Sequence, residues 1–251
     1  EVAPTSLDGA SKIIADGVAF WTPLMKATGN TPAKQKGPAM ILAAEDLPAS
    51  LLETLRDLGP ATLHEAQGQS GAVDSAIRPL DPSTRIAGPA LTVDCRPSDN
   101  LVLHHALTKA RPGDVLVVDA KGFIDAGPWG DIMSLAAQTA GIAALVIDGS
   151  VRDAGSIVAM GFPVFSRGIS IIGTNKNQPG RMGVPIVFGG VLVNHGDIIV
   201  GDRDGLVVVP RARAAEVARL GREREAKEEA LREQIRAGRS TVDLLGLAAT
   251  M

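Results

Sequence analysis

Two short segments gather the residue types that could do chemistry. The first reads Val115-Leu-Val-Val-Asp119-Ala-Lys-Gly-Phe-Ile-Asp125-Ala-Gly-Pro-Trp-Gly130-Asp131-Ile-Met-Ser134, and the second Ala144-Leu-Val-Ile-Asp148-Gly-Ser-Val-Arg152-Asp153. Each is an apolar run that breaks into a glycine-containing loop and then a helix. If the two runs are adjacent parallel strands, both loops meet at the carboxyl edge of the sheet, where α/β proteins place their ligands. The first loop offers glycines and the free N–H groups of a helix start, suited to a carboxylate or an enolate oxygen. The second offers a guanidinium able to fork a carboxylate beside a carboxylate able to hold a hard divalent cation. An anion cradle, an arginine and a metal-binding aspartate suit a small 2-oxo acid. The plainer alternative is that the glycines are turns, Asp153 is an N-cap and Arg152 forms a surface pair.

Other chemistry finds little support. There is no P-loop, no GxGxxG after a strand, no HExxH and no GxSxG. His104 and His105 are neighbours on an expected helix and point in different directions, so they make a poor metal pair. One is expected at the surface and the other half-buried. Cys95 sits in an expected strand with no evident histidine partner, which predicts an inert buried thiol.

The elements that must position these residues follow from periodicity. Leu51, Leu52, Leu55 and Leu58 have helical spacing and end at Gly59, a C′ glycine. Arg85–Cys95 reads as a strand. Ser98 or Asp99 caps a helix to Ala110, and a turn at Arg111–Asp114 leads to the strand Val115–Asp119. A loop from Lys121 to Gly130 opens a helix through Ala140. The strand Ala143–Asp148 and a loop Gly149–Asp153 precede a helix to Met160. Short strands follow at Pro163–Phe165, Val184–Phe188, Val191–Val193, Asp197–Val200 and Leu206–Val209. The alternation argues βαβ units with a β-rich piece completing the sheet. Between Arg211 and Arg239, 15 of 29 residues are charged. That stretch predicts a solvated terminal helix laced by i,i+4 pairs.

Residues 1–39 read as an N-terminal extension and linker, native or added, ahead of a core spanning 40–251. The extension has a short amphipathic stretch, Ser11–Thr28, and a polar segment from Asn30 to Gly37. It lacks the basic start and long apolar run of a signal peptide.

Composition narrows the function classes. The chain has 251 residues, 45% of them hydrophobic, which excludes global disorder. Its one cysteine excludes a disulfide framework and a Cys-rich zinc module, and fits a reducing, cytoplasmic setting. A net charge of −3 and an aromatic content of 3% leave neither a basic field nor a stacking platform for nucleic acid. No apolar run is long enough to span a membrane. Seventeen of the 28 glycines lie between Gly113 and Gly205, the stretch that carries both candidate loops.

At those loops the sequence resembles a known family. Trp129-Gly-Asp-Ile-Met133 and Ala140-Gly-Ile-Ala-Ala-Leu-Val-Ile-Asp-Gly-Ser-Val-Arg-Asp153 are similar to the 4-hydroxy-4-methyl-2-oxoglutarate / 4-carboxy-4-hydroxy-2-oxoadipate aldolases, which share a fold with the regulator of ribonuclease activity A. The similarity extends through His64-Glu-Ala-Gln-Gly68, Ser166-Arg-Gly168, Gly173-Thr-Asn-Lys176 and the run from His195 to Gly205, in the same order. It covers roughly residues 45–240.

The resemblance implies an α/β protein, with a three-layer core in a swivelling β/β/α arrangement, a charged C-terminal helix from about 211, and assembly as a homotrimer or homohexamer. It implies a class II pyruvate aldolase that uses Mg²⁺ or Mn²⁺, with oxaloacetate decarboxylation as a side activity and a place in aromatic compound catabolism. Asp153 would ligate the metal, partly through waters, and Arg152 would hold the keto and carboxylate oxygens of the pyruvyl unit. Gly130 and the amides of Asp131, Ile132 and Met133 would complete the cradle. Those types suit the reaction, because retro-aldol cleavage leaves an enolate whose charge needs a Lewis acid and fixed donors.

Two positions depart from the expected pattern. Asp131 stands where a glutamate is expected, and His195 where a proline precedes Gly-Asp. The rival reading is a non-catalytic regulator binding a ribonuclease or helicase partner, for which the acidic residue after Arg152 is expected to be missing. A related metal-dependent lyase or hydratase acting on another oxo acid is the third. For the C4 substituent of the substrate, Lys176, Arg181 and the charged C-terminal helix are candidates by charge.

Overall fold

The structure is a computed structural model that describes residues 47–247. The expected extension and linker, residues 1–39, lie outside the described residues. None of the described helices is long and apolar enough to cross a membrane.

A parallel core is built where the apolar runs predict it. Strands β2 (Ile86–Asp94), β3 (Val115–Phe123), β4 (Ala144–Val151) and β5 (Val164–Ile169) stand side by side, each parallel to the next. The register aligns Asp94 with Asp119 and Asp119 with Asp148, and β3 and β4 run on beyond that level to Phe123 and Val151. The strand β1 (Arg78–Pro79) closes one side against β5. β2 serves two neighbours in turn. Its residues Ile86–Pro89 pair with β9 (Ile198–Asp202), and Ala90–Asp94 with β3. One strand is thereby shared between the parallel sheet and the antiparallel pair of β9 and β10 (Gly205–Val209). β6 (Arg181–Met182) pairs with the end of β2, and β7 (Ile186–Phe188) with β8 (Val191–Val193) forms a separate hairpin.

Alternation of side chains along the strands sorts the core into layers. Leu91, Val93, Leu116, Val118, Leu145 and Ile147 face the helices α2 (Leu101–Leu107), α3 (Asp131–Thr139) and α4 (Ala154–Met160). Ala90, Val115, Val117, Ala144 and Val146 face the other way, onto Ile186, Phe188, Val193, Ile199, Leu206 and Val208. That is the expected helix–sheet–sheet sandwich. A further layer covers the outer face of β9 and β10. There Ile198, Val200, Val207 and Val209 pack on Leu55 and Leu63 of α1 (Ala49–Ala66) and Val217 of α5 (Ala214–Arg236).

Several boundaries differ from the sequence expectation. The first helical segment breaks at Gly59 as expected, but a second, unforeseen one continues from it. The glycine turns to φ 75° and a second helical segment follows through Pro60 to Ala66, because Leu63 finds the same core as Leu55. α2 stops at Leu107 rather than Ala110, where Thr108 turns its hydroxyl back onto the His105 carbonyl. β4 continues to Val151, so Gly149–Val151 is strand and not loop. The charged stretch opens with a 3₁₀ turn, Arg211–Arg213, before α5. As expected, α5 carries i,i+4 pairs, Arg219–Glu223 and Arg224–Glu228 among them.

Candidate active site

The two candidate loops emerge from the carboxyl ends of the neighbouring strands β3 and β4. Trp129 anchors the first. Its indole is fully buried, stacks on Phe162 and donates Nε1–H to Ser134 Oγ at 2.7 Å. Ser134 Oγ in turn donates to the Gly130 carbonyl, which also accepts the Ser134 amide. A buried aromatic and a closed hydrogen-bond ring therefore fix the approach to α3. The second loop is tied to the first by the Arg152 amide, which donates to the Trp129 carbonyl at 2.8 Å. A third segment joins them, with the Gly127 amide donating to the Ile172 carbonyl and the Ser170 amide to the Val151 carbonyl.

Arg152 and Asp153 come together as the sequence suggests. Arg152 Nε lies 3.3 Å from Asp153 Oδ2, and both side chains are partly exposed. Asp153 occupies the N-cap position of α4, yet its side chain makes no capping bond. Its backbone is left-handed (φ 56°), a conformation Asp tolerates better than most residues. The carboxylate points instead toward the start of α3, with Oδ2 3.4 Å from the Asp131 amide. The plain N-cap alternative accounts for its position and not for where its oxygens point.

Close approach explains two of the loop glycines. A β-carbon on Gly127 would lie 2.5 Å from the Ser170 carbonyl and 3.0 Å from Arg152 Cβ. One on Gly130 would collide with Asp153 Oδ2 and lie 3.2 Å from Arg152 Nε.

A cavity of about 300 Å³ opens between these loops. Of the residues nominated from sequence, Gly130, Asp131, Ile132, Met133 and Arg152 line it, together with Gly127 and Pro128, while Asp153 lies just behind the lining. Of the remaining wall, the sequence nominates only Lys176, by its charge. That wall is made by Asn100 and His104 of the α2 region and by Gly173, Thr174 and Lys176. Two amides of the expected cradle are already engaged, since Ile132 N–H donates to Asp131 Oδ1 at 2.7 Å and Asp131 N–H to Asp153 Oδ2 at 3.4 Å. An anion entering there competes with the Asp131 carboxylate.

Asp99 builds that wall. It is 2% exposed, and its carboxylate accepts the amides of Leu101, Asn177 and Gln178. Burial works against the charge, but the three amides prevail and hold the carboxyl below its usual range. The backbones of Asn100 and Asn175 add a second tie. His104 has its pKa lowered, by burial first and then by Lys176 and His105, which favours the neutral imidazole.

The other residues singled out by sequence lie elsewhere. Cys95 is buried and its thiol is pushed up to about 12, chiefly by burial, so it is inert as expected. His195 packs near Asp114 and Arg111 at the amino-terminal end of β3, the opposite edge of the sheet from Arg152. Arg181 is committed to Asp94, with Nε and Nη2 at 2.9 and 2.6 Å. Lys121 joins the same carboxylate at 2.7 Å.

The donor set bears on a metal. Among the described residues there is no group of three or more His, Cys, Asp or Glu side chains able to cage an ion. Asp153 is a single hard oxygen donor with weak protein contacts, facing space that Gly130 keeps clear. That suits Mg²⁺ or Mn²⁺ held through one carboxylate, with waters and substrate oxygens filling the rest, and does not suit a zinc cage.

The chain is similar to known proteins over the same core. The family described as RraA-like (Aldolase/RraA) matches residues 49–208. A protein of Halalkalibacterium halodurans named "Putative 4-hydroxy-4-methyl-2-oxoglutarate aldolase" is 41% identical over 156 residues, which are 62% of this chain and 74% of that one. An uncharacterized protein from Pseudomonas syringae has a solved structure with a TM-score of 0.68 at 32% identity, covering 78% of this chain and 97% of that chain. Streptomyces coelicolor RraAS2, described as an unusual member of the RNase ES inhibitor RraA family, matches with a TM-score of 0.67 at 31% identity, covering 75% and 100%.

Proposed function

Because the chain belongs to the RraA-like (Aldolase/RraA) family, we propose that it is a divalent-metal-dependent carbon–carbon lyase. Its substrate is 4-hydroxy-4-methyl-2-oxoglutarate or a related 4-hydroxy-2-oxo acid, cleaved to pyruvate and a second oxo acid. Loss of CO₂ from oxaloacetate, which passes through the same enolate, is the expected side activity. The observation that carries this reading is that Arg152 and the start of α3 line one cavity, with the Asp153 carboxylate directly behind them, 3.3 Å from Arg152 Nε and 3.4 Å from the Asp131 amide, at a place that a side chain on Gly130 would crowd. The name of the Halalkalibacterium relative supports it.

In the reaction the C3–C4 bond breaks, a water in the open cavity takes the 4-hydroxyl proton as that carbon becomes a carbonyl, the electron pair moves onto the C2 oxygen as an enolate, and a proton returned from water to C3 gives pyruvate. Arg152 binds the carboxylate and the 2-oxo oxygen and stays cationic throughout, so its attraction grows as the oxygen gains charge. The amides at the start of α3 orient the same carboxylate once the Asp131 side chain yields. Asp153 would hold Mg²⁺ or Mn²⁺, which when bound supplies Lewis-acid stabilisation of the enolate.

The partner of this chain is a second copy of itself. Ile124, Ile132, Leu135, Ile169, Ile171 and Ile172 are all half-exposed or more, an apolar group on the cavity-bearing loops and α3 that suits the homotrimer or homohexamer of the family resemblance. Light scattering tests the assembly.

The activity is tested by pyruvate release coupled to lactate dehydrogenase, with Mg²⁺ and with EDTA, from 4-hydroxy-4-methyl-2-oxoglutarate and from oxaloacetate. Metal-dependent pyruvate from either is the expected result, and none from both sinks the proposal. The likeness to RraAS2 favours one second reading, a regulator that binds a ribonuclease. Pull-down of ribonuclease by a catalytically silent protein would support that reading instead.

A further inference from the structure

Neighbouring strands that keep one register carry their ends forward together, and β3 and β4 keep theirs only as far as Asp119 and Asp148. Continued unchanged, that register would set Phe123 opposite Arg152. Phe123 instead stands opposite Gly149, so four steps along β3 match one along β4. Ala120, Lys121 and Gly122 face no residue of β4, and the chain beyond them is drawn back by about 10 Å, at ~3.3 Å per residue. The retraction brings the first loop beside the second. Ile124 arrives next to Ser150, whose buried hydroxyl donates to its carbonyl at 2.8 Å, and the Trp129 carbonyl reaches the Arg152 amide. Those ties hold the loop once it is in place, while the excursion of β3 decides where it arrives.

The excursion is tight. Lys121 and Gly122 are both left-handed, at φ 62° and 66°. Ala120 is pressed so closely onto β4 that a β-carbon on Gly149 would lie 2.9 Å from that of the alanine. Glycine enters the left-handed region freely and lysine does not. A turn that needed only its backbone shape would be served by glycine at 121 as it is at 122. A strained residue persists where its surroundings hold it, and here the side chain supplies the hold. Lys121 Nζ hydrogen-bonds Asp119 Oδ2 and lies 2.7 Å from Asp94 Oδ1, while the Lys121 amide donates to Asp119 Oδ1 at 2.9 Å. Both carboxylates are buried, and Asp94 belongs to the neighbouring strand β2. Burial disfavours the ammonium, yet the two carboxylates outweigh it and raise its pKa above the ordinary lysine value.

We propose that Lys121 is a positioning residue for the site. Its ammonium, clasped by Asp94 and Asp119, holds the excursion of β3 that sets the Gly127–Gly130 loop beside Arg152. Lys121 does not line the cavity and acts through the backbone it fixes. The expected effects on binding and turnover rest on the 2-oxo acid reading of the cavity, and the effect on the loop does not.

The test compares Lys121→Gly, which relieves the backbone and removes the ammonium, with Lys121→Arg, which keeps a cation. Each is made in the full chain. Thermal melting, amide hydrogen exchange over residues 123–130, pyruvate Kd by calorimetry with Mg²⁺, and kcat on oxaloacetate are measured. Lys121→Gly should melt within a few degrees of the parent, because Asp94 keeps Arg181. Exchange over 123–130 should quicken about tenfold beyond any change in the strands. Pyruvate should bind about tenfold more weakly, and kcat should fall about 10²-fold, the scale of a misplacement of ~1 Å. Lys121→Arg should recover most of the binding and of the exchange protection. Exchange over 123–130 that matches the parent, or that rises only in step with the whole protein as its melting temperature falls, overturns the positioning role. An arginine variant no better than the glycine one also overturns it, since the cation is the proposed agent. A parent protein that binds no pyruvate removes the 2-oxo acid reading, and the exchange result still decides the clasp.

Discussion

Gly130 and Asp153, on neighbouring loops, approach so closely that a β-carbon on the glycine would occupy the place of the carboxylate oxygen Oδ2. The glycine's own backbone is extended (φ −142°), a conformation open to any residue. What the position demands is room. Gly130→Ala is therefore expected to push the Asp153 carboxylate aside and lower kcat/KM about 100-fold, ~2.7 kcal/mol of barrier. Its melting temperature should stay within a few degrees of the parent. Circular dichroism melts and the pyruvate assay check both, and unaltered turnover would remove Asp153 from the site.

Asp153 and Arg152 should fail in different ways. Asp153→Asn keeps a residue that tolerates the left-handed backbone while removing the charge, so it separates chemistry from strain better than alanine. It should lose metal-dependent turnover and its response to added Mg²⁺. Arg152→Lys keeps the charge and loses the planar fork, and should fall about 10²-fold with metal response intact. Steady-state kinetics against Mg²⁺ concentration distinguishes the two, and wild-type kinetics in either variant contradicts its assigned role.

Asp99 should matter for stability more than its distance from Arg152 suggests. Asp99→Ala leaves three backbone amides without their acceptor and loosens Asn177 and Gln178, with the backbone ties of Asn175 remaining. The expected cost is about 2–4 kcal/mol, from the typical penalty for buried unsatisfied donors. Urea unfolding at pH 7.5 measures it, and a loss under about 0.5 kcal/mol would show that the tie is dispensable.

Acid should act in two separate windows. His104 and His195 both have lowered pKa values, chiefly from burial. The unfolded chain then binds protons at these sites before the folded one does. Stability should decline as pH falls below about 6.5, the free-histidine value, and level off once the folded imidazoles are also charged. Asp94 and Asp99 lie on the other side. Burial opposes their charge, but Lys121 and Arg181 on Asp94, and the amides on Asp99, hold both pKa values down. Their contribution is intact above about pH 4 and disappears only below it. Urea midpoints at pH 7.5, 5.5 and 3.5 should show two steps, and His195→Asn should reduce the first.

Much of this arrangement is written locally. Val115–Val118 and Ala144–Ile147 are unbroken apolar runs, as a strand covered on both faces requires, and they lead directly to Gly130 and Arg152. Other features depend on contacts distant in sequence. The second half of α1 forms because Leu63 reaches the core around β9 and β10, which no local signal at Gly59-Pro60 reveals. His104 looks like a residue on an ordinary short helix until Asp99 draws the segment around Lys176 beside it. The engagement of the Ile132 amide by Asp131 is a side-chain choice that spacing does not encode. Only the pairing of residues some 75 positions apart exposes that second wall.

The two walls are also built by separate means. Hydrogen bonds among the ends of β4, the Trp129 loop and the Ser170–Ile172 segment hold the Arg152 side, while the Asp99 carboxylate and the backbone ties of Asn175 to Ser98 and Asn100 fasten the Lys176 segment. Substitutions at Thr174 and Lys176 can therefore alter the far wall while the ties around Trp129 and Arg152 stay in place, whereas a side chain at Gly173 would touch Arg152. The two walls of one cavity can thus vary independently of each other almost up to their shared corner.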